Sequence, residues 1–446
     1  MNSSLTEGSV RRQLINFAWP AFISLIFTEL YNITNSVIVG NFVSLEALSA
    51  VSASTWICNV FNYTFYGLGM GAGIVVAKYL GAKDTVNLKK SLDTSVVFAI
   101  VGGIVLTILS ELCLPLMMKL CNIGPDIYND ALHYLRVYLL GNTAVLTSQM
   151  CFFVLRSFGD TKHQLYYSII SSMVNIVLGV LLVRVFKMDV TGTAIATIAS
   201  QFTMDVLALK LLFNYDKALS FDIKNIDFSF SIVKDICRLG IPAGIQNMLI
   251  AISSVVVQSY VNLFPNEVIA GVGVAEKVGA WGQMGSVAIS AGTMAMVSQN
   301  MGAKKYDRAR EVIKESLILG TIVTVGAIVL LFIFADFLVS KFNDNLDVIR
   351  YGTEMLRFSV FSNIFLNLSH VYNGACRGAG NVKTPMVIAI LGQVVAKFLF
   401  VYIGLKISFD VHVLYLATAF GYTIAGLLAA IYFNTSKWTL ENHLRK

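Results

Sequence analysis

Charge is what this chain has least of. Asp, Glu, Lys and Arg make up 13% of its 446 residues, against about a quarter in an ordinary soluble domain. With 56% hydrophobic residues and a mean hydropathy of +0.71, a water-soluble globular chain is excluded and a polytopic membrane protein implied. The six cysteines show neither paired spacing nor a CxxC, which argues against a disulfide framework or a zinc site. Cys113 and Cys121 are the one pair able to share an outer loop, and isolated membrane cysteines ordinarily just pack. There is no ATP-binding motif, and no cluster of acids or histidines at metal-ligand spacing. Energy therefore has to come from an ion gradient, and neither enzyme activity nor a cofactor is expected. The net charge of +7 comes from basic residues dispersed through short loops, a sign of membrane topology rather than of nucleic acid.

A helix needs about 20 apolar residues to cross the hydrocarbon core. That rule predicts spans near 14–39, 46–79, 91–118, 128–155, 164–186, 190–213, 236–262, 267–300, 311–338, 348–375, 384–406 and 411–433. The fold class is all-α integral membrane, with twelve transmembrane helices. Arg11 and Arg12, Lys78 to Lys90, Arg156 and Lys162, Lys217 to Arg238, Lys304 to Lys314, and Arg377 with Lys383 all fall on one side if both termini are there. The positive-inside rule makes that side the cytoplasm, and a multi-pass protein of the cell inner (plasma) membrane is expected. The first span is too long for a cleaved signal and stays as an anchor.

Laid over itself with a shift of 221 residues, the chain repeats. Gly81, Ala82 and Lys83 fall on Gly302, Ala303 and Lys304; Arg156, Gly159 and Lys162 fall on Arg377, Gly380 and Lys383; Asn142 falls on Asn363. Near the start a shift of 222 pairs Pro20 with Pro242. The reading is two pseudo-symmetric six-helix bundles, an N-terminal lobe at 1–213 and a C-terminal lobe at 236–446, joined by a cytoplasmic linker at 214–235. Six crossings per lobe make the repeat parallel, a design suited to alternating access.

Polar groups at membrane depth are functional candidates by default. In the first span Thr28, Asn32 and Asn35 share a helix face, with Glu29 flanking it. Asn59, Asn62 and Tyr63 form a stripe on the second span that can face it across the N-terminal lobe. Asn142 and Gln149 have the repeat equivalents Asn363 and His370, with Asn367 between them, and Asn247 and Gln258 lie on the seventh span. Each amide either bonds neighbouring helices or lines a cavity. Glu29 is the strongest candidate to load and release a proton, because desolvation drives a carboxylate toward its neutral form. Asp205 lies near the cytoplasmic end and near Lys210 and reads as a snorkelling group or a local pair. Glu276 with Lys277 is either an exposed pair or an ion site of the second lobe. His370 reads as a hydrogen-bonding member of a helix interface. Gly67, Gly69, Gly71 and Gly73, and Gly279, Gly282 and Gly285, mark close helix packing, since no strand precedes them.

The segment LYNITNSVIVG after a proline-containing first span, the GAK turn present twice, and LRSFGDTK echoed by CRGAGNVKT together resemble MATE-type multidrug and toxic compound extrusion transporters over essentially the whole chain. The resemblance implies two six-helix bundles around a central V-shaped cavity. It also implies efflux of amphiphilic, often cationic, compounds in exchange for protons or sodium ions. Gly81 and Gly302 are expected to supply the positive-φ residue that stops each helix. MATE-like proteins commonly place aspartate at the position matching Asn35 and in an N-x-x-x-D pattern on the fifth span. Here Asn175 is retained and Gly179 stands in place of the acid. Either Glu29 takes over coupling, or the second lobe does, or coupling is weak. The expected partners are a small amphiphilic substrate and the bilayer, with the chain acting as a monomer. The alternative is a flippase for a lipid-linked saccharide or another lipid, which requires a strongly basic cavity; Lys397 is the main central base.

Overall fold

The computed structural model describes residues 5–42, 45–121, 123–214 and 225–435, without the side chains of residues 31–33, 35–42, 45–48, 120 and 189. Within the described residues the regular structure is entirely helical. The first half comprises α1 (Val10–Phe42), α2 (Leu45–Gly81), α3 (Thr85–Leu120), α4 (Pro125–Leu140 and Asn142–Ser157), α5 (Thr161–Val185) and α6 (Asp189–Asn214). The second comprises α7 (Phe230–Val261), α8 (Asn266–Gly302), α9 (Tyr306–Ile333), α10 (Leu346–Ser359 and Asn363–Gly378), α11 (Lys383–Ile407) and α12 (Val411–Thr435). Nine of these twelve are long and apolar enough to cross a membrane, and α4, bent by 45°, makes a tenth. The two that fall short are α8, which carries Glu267, Glu276 and Lys277, and the broken α10. Both breaks fall just before the repeat-related residues Asn142 and Asn363. The linker reading runs into α7, which already begins at Phe230.

Four helix ends use the same device. A residue in the left-handed region follows the helix, and the next N–H reaches back to a carbonyl five residues earlier: Asp84 to Tyr79, Asp160 to Leu155, Lys305 to Asn300 and Asn381 to Cys376, at 2.8–3.2 Å. This is the Schellman arrangement, which satisfies carbonyls that a helix end leaves open. Gly159 (φ 79°) and Gly380 (φ 87°) supply the turn after α4 and α10. After α2 and α8 the positive φ belongs to Lys83 (57°) and Lys304 (58°), which corrects the expectation for Gly81 and Gly302. Those two glycines are still the last residues of their helices. Asp84 and Asp160 then cap α3 and α5 by accepting from the N–H groups of Asn87 and His163, both at 3.1 Å. The Asn87 contacts hold the Asp84 carboxyl below its ordinary range, so this cap is intact above the ordinary carboxyl pKa and fades as pH falls below it.

The chain divides into two compact units that do not coincide with the two halves of the sequence. Among the described residues, one contains those of 23–245; the other contains 5–22 and 246–435. The start of α1 thus belongs with the second unit and the start of α7 with the first, each changeover lying within three residues of Pro20 or Pro242. In the second unit Leu14 and Phe17 are buried against Gly292, and the residues ahead of α1 are tied by Leu5 N–H to Gln299 Oε1 (3.1 Å) and Lys305 Nζ to the Thr6 carbonyl (3.0 Å). In the first unit the residues ahead of α7 are tied by Asp227 N–H to Asp93 Oδ2 (3.1 Å) and Ser229 N–H to Thr94 Oγ1 (3.0 Å). Asp93 is itself fully buried and accepts from Lys89 Nζ at 3.1 Å.

Alternate glycines on α2 serve two neighbours in the first unit. Gly67 and Gly71 lie against the backbone of α7 at Gly240 and Ile236, while Gly69 and Gly73 lie against that of α4 at Gln149 and Phe153. A methyl group on Gly71 collides with the Ile236 carbonyl, whereas one on Gly273 of α8 meets nothing. Gly71→Ala is therefore expected to lower stability by about 1–3 kcal/mol, the range for overpacking. Gly273→Ala should leave stability unchanged or slightly raised through helix propensity. Thermal melting of the two variants in detergent checks the contrast.

Candidate functional site

In the first unit the described polar side chains of α1 and α2 make separate contacts rather than one network. Thr28 is exposed, and its hydroxyl bonds to the carbonyl of Ser24 one turn back, at 3.0 Å. Glu29 is half-buried and forms no hydrogen bond or ion pair with a described residue. The side chains of Asn32 and Asn35 lie outside the described residues. Asn59 and Tyr63 are half-buried, and Asn62 donates to the Tyr138 hydroxyl at 3.2 Å, joining α2 to the first half of α4.

Deeper in this unit the amides meet hydroxyls. Asn142 is fully buried at the bend of α4 and donates to Ser110 Oγ of α3 at 3.1 Å. Asn175 is fully buried on α5, its Nδ2 3.5 Å from Thr197 Oγ1 of α6, which is at the outer limit of a hydrogen bond. The Oδ1 atoms of both have no partner. A buried acceptor left unpaired costs about 1–3 kcal/mol, so these oxygens remain able to receive a proton donor or a cation. Gln149 is half-buried on the second half of α4, whose backbone meets Gly69.

Asp205 departs from the sequence reading. It is buried, with Ser148 Oγ 2.6 Å from its Oδ1; it neither snorkels nor pairs with the exposed Lys210. The sequence shows its distance from the helix end but not that its side points at α4.

In the second unit α8 is the organising element. His370 Nδ1 lies 3.0 Å from Ser286 Oγ, and the His370 carbonyl accepts from Ser290 Oγ at 2.7 Å, so both groups stitch α10 to α8. Asn363 is buried beside Gly282. Asn367 is completely buried against Gly320 of α9, with neither its amide oxygen nor its nitrogen bonded. Asn247 is half-buried, and Gln258 donates to Asn262 on its own helix at 2.9 Å. Arg377 Nη2 donates to Gln246 Oε1 at 2.8 Å.

Glu276 is exposed and makes no ion pair with Lys277; the charge it feels is that of Lys397 on α11. Lys397 is 8% exposed. It directly follows a π-helical turn, Ile390–Ala396, whose Gln393 carbonyl accepts from Ser253 Oγ of α7 at 3.2 Å. Such turns often mark functional positions, because they redirect the residues that follow. One face of α8 adds Gln283, which donates to the Tyr422 hydroxyl of α12 at 3.4 Å. Gln283, Lys397 and Tyr422 thus join Glu276, and sequence reasoning missed this grouping. A signal for Gln283 existed, since the 221-residue shift pairs it with Asn62. Among the described residues no three of His, Cys, Asp or Glu gather as a metal site.

An amide with four unused bonding positions in a dry interior stabilises nothing by itself. Asn367→Leu, similar in volume, is expected to raise stability by about 1–3 kcal/mol; a lower melting temperature of that variant in detergent contradicts the unpaired geometry.

The comparisons with known proteins match this architecture. The MatE family model matches residues 20–181 and, a second time, residues 242–403. The probable multidrug resistance protein YoeA of Bacillus subtilis is 25% identical over 393 residues, covering 86% of this chain and 85% of its own. The multidrug export protein MepA of Staphylococcus haemolyticus is 22% identical over 403 residues, covering 89% and 87%. Among solved structures, the outward-facing conformation of a multidrug resistance MATE family transporter of the MOP superfamily superposes with a TM-score of 0.92 at 18% identity, over 98% of both chains. A MOP superfamily transporter from Pyrococcus furiosus, described as having a binding pocket of reverse polarity, superposes at 0.90 with 17% identity over 98% of both.

Proposed function

The chain belongs to the MatE family, and on that premise we propose that it is a secondary active exporter. It exchanges amphiphilic, often cationic, compounds for protons or sodium ions by alternating access of its two units. The observation that carries this reading is the double family match, once on each six-helix repeat, together with relatives named as multidrug resistance or export proteins. The chemistry of the polar residues supports it. Unpaired amide oxygens, hydroxyls and aromatic faces attract organic cations without demanding one fixed shape. Carboxylates at membrane depth are few, Glu29, Asp205 and Glu276 together with Asp93 and Glu111 of α3, so each counts in coupling. The protein acts as a monomer in the plasma membrane with both termini in the cytoplasm, where most loop Lys and Arg residues fall.

The flippase reading lacks its main requirement. It needs a strongly basic lining, and the central lysine of the second unit, Lys397, is opposed by Glu276.

Transport in proteoliposomes tests the proposal. An inward ion gradient is expected to drive a lipophilic dye cation such as ethidium outward, against its own gradient. If neither a proton nor a sodium gradient moves any amphiphilic cation, the exporter reading fails. A Glu29→Gln variant that keeps the full gradient-driven flux removes Glu29 from the coupling groups.

A further inference from the structure

The contacts of one serine in the first unit report on the protonation of its neighbour. Ser148 Oγ lies 2.6 Å from Asp205 Oδ1 and 2.9 Å from the carbonyl oxygen of Ala144. A serine hydroxyl has a single proton to donate, while a carbonyl and an ionised carboxylate can only accept. With Asp205 ionised, one of the two close contacts sets oxygen lone pairs against each other. With Asp205 protonated, both become hydrogen bonds: the carboxyl O–H donates to Ser148 Oγ, and Ser148 donates to Ala144.

The surroundings agree with the neutral form. Asp205 is 5% exposed, and an ionised carboxylate in such a place requires a counter-charge. None faces it. Cys151 on the second half of α4 lies close enough to interact with it electrostatically, and Tyr79 on α2, Tyr167 on α5 and Asp93 on α3 line the packing and the cavity around the next turn of α6, at Ala208 and Leu209; none of these groups is basic. Lys210 on its own helix is exposed, Lys89 is bound to Asp93, and Arg156 is bound to Gln164 and stacked on Phe153. The first half of α4 meets α6 nearer its start, where Gly141 touches Ile198.

A cavity opens one turn further along α6, at Leu209; Asp205 and Ser148 are not among the residues that line it. Asp93, Ser95, Thr147, Cys151 and Leu209 are among its lining residues; Thr147 and Cys151 flank Ser148 along α4, and Leu209 is one turn beyond Asp205. The cavity thus runs between the helix that carries Ser148 and a second buried carboxylate, Asp93, whose oxygens hold Lys89 and the N–H of Asp227 at the entrance to α7.

We propose that Asp205 is the proton-carrying group of the first unit, taking up and releasing one proton by way of the cavity that Asp93 lines, with Ser148 as the positioning residue for the neutral acid. The step balances simply: a carboxylate and a proton from water form the acid, and release to water restores both. This inference rests on the exporter reading and deepens it, naming the proton as a coupling ion.

Infrared spectroscopy of the purified protein tests protonation without reference to transport. The wild type is expected to show the carbonyl band of a protonated carboxylic acid at neutral pH, lost in Asp205→Asn and shifted in Ser148→Ala, which keeps the acid but removes its bond. An unchanged band in Asp205→Asn overturns the proposal, as does a band that Ser148→Ala leaves unmoved. In proteoliposomes Asp205→Asn should still bind the dye cation ethidium but lose the dependence of its flux on the pH gradient; a retained dependence overturns the coupling role. A wild type with no gradient-driven flux counts against the exporter reading, while the infrared bands still decide whether Asp205 carries the proton.

Discussion

A polar group in a dry helical interior must find its partner within the protein, and most of what this chain does follows from that requirement. Its helices satisfy their own backbone, so the remaining questions are the helix ends and the few polar side chains between them. Helix ends are closed by paired turns of one design, including two in which lysine takes the left-handed position. Between the ends, hydroxyls return to the carbonyl one turn back, as Thr28 and Ser54 do, or reach a neighbouring helix, as Ser290 does. The groups left over stand out against that background. Asn175 and Asn367 hold unpaired amide oxygens, Asp205 has a serine in place of a cation, and Lys397 has Glu276 opposite but not in contact.

The repeat distributes these groups unevenly. Backbone features recur at the 221-residue shift, in the turns, the breaks before Asn142 and Asn363, and the exchange of helix starts between units. Buried chemistry does not recur. Asn142 has Ser110 for a partner, whereas the repeat equivalent of Ser110 is Leu331. Ser148 faces Asp205, whereas the equivalent of Asp205 is Gly426, pressed against the Phe365 carbonyl. The same scaffold thus holds an acid and hydroxyls in one unit and an opposed acid and lysine in the other, which allows the two units different parts in a transport cycle.

Much of this was legible in the residues. Long apolar runs place the helices, and the double GAK and R-x-x-G patterns reveal the repeat, because glycine and charge are constrained where helices turn. The exchanged helix starts were not legible: Leu14 to Phe22 is as apolar as the rest of α1, and hydropathy does not say which neighbours a helix touches. Side-chain direction was equally hidden. Asp205 and Lys210 are close in sequence, yet only packing shows that one points at Ser148 and the other outward. The sequence also gives no sign of the π-helical turn ahead of Lys397, since such a turn leaves no compositional mark.

An exporter that trades its substrate for a proton must hold the two in alternation, so binding of the cation has to displace the proton. Substrate-induced proton release in weakly buffered detergent solution tests it most directly. Saturating dye cation is expected to release protons near neutral pH, and the release to diminish at alkaline pH, where the acids are already empty. Tight binding of the cation with no proton release at any pH contradicts it.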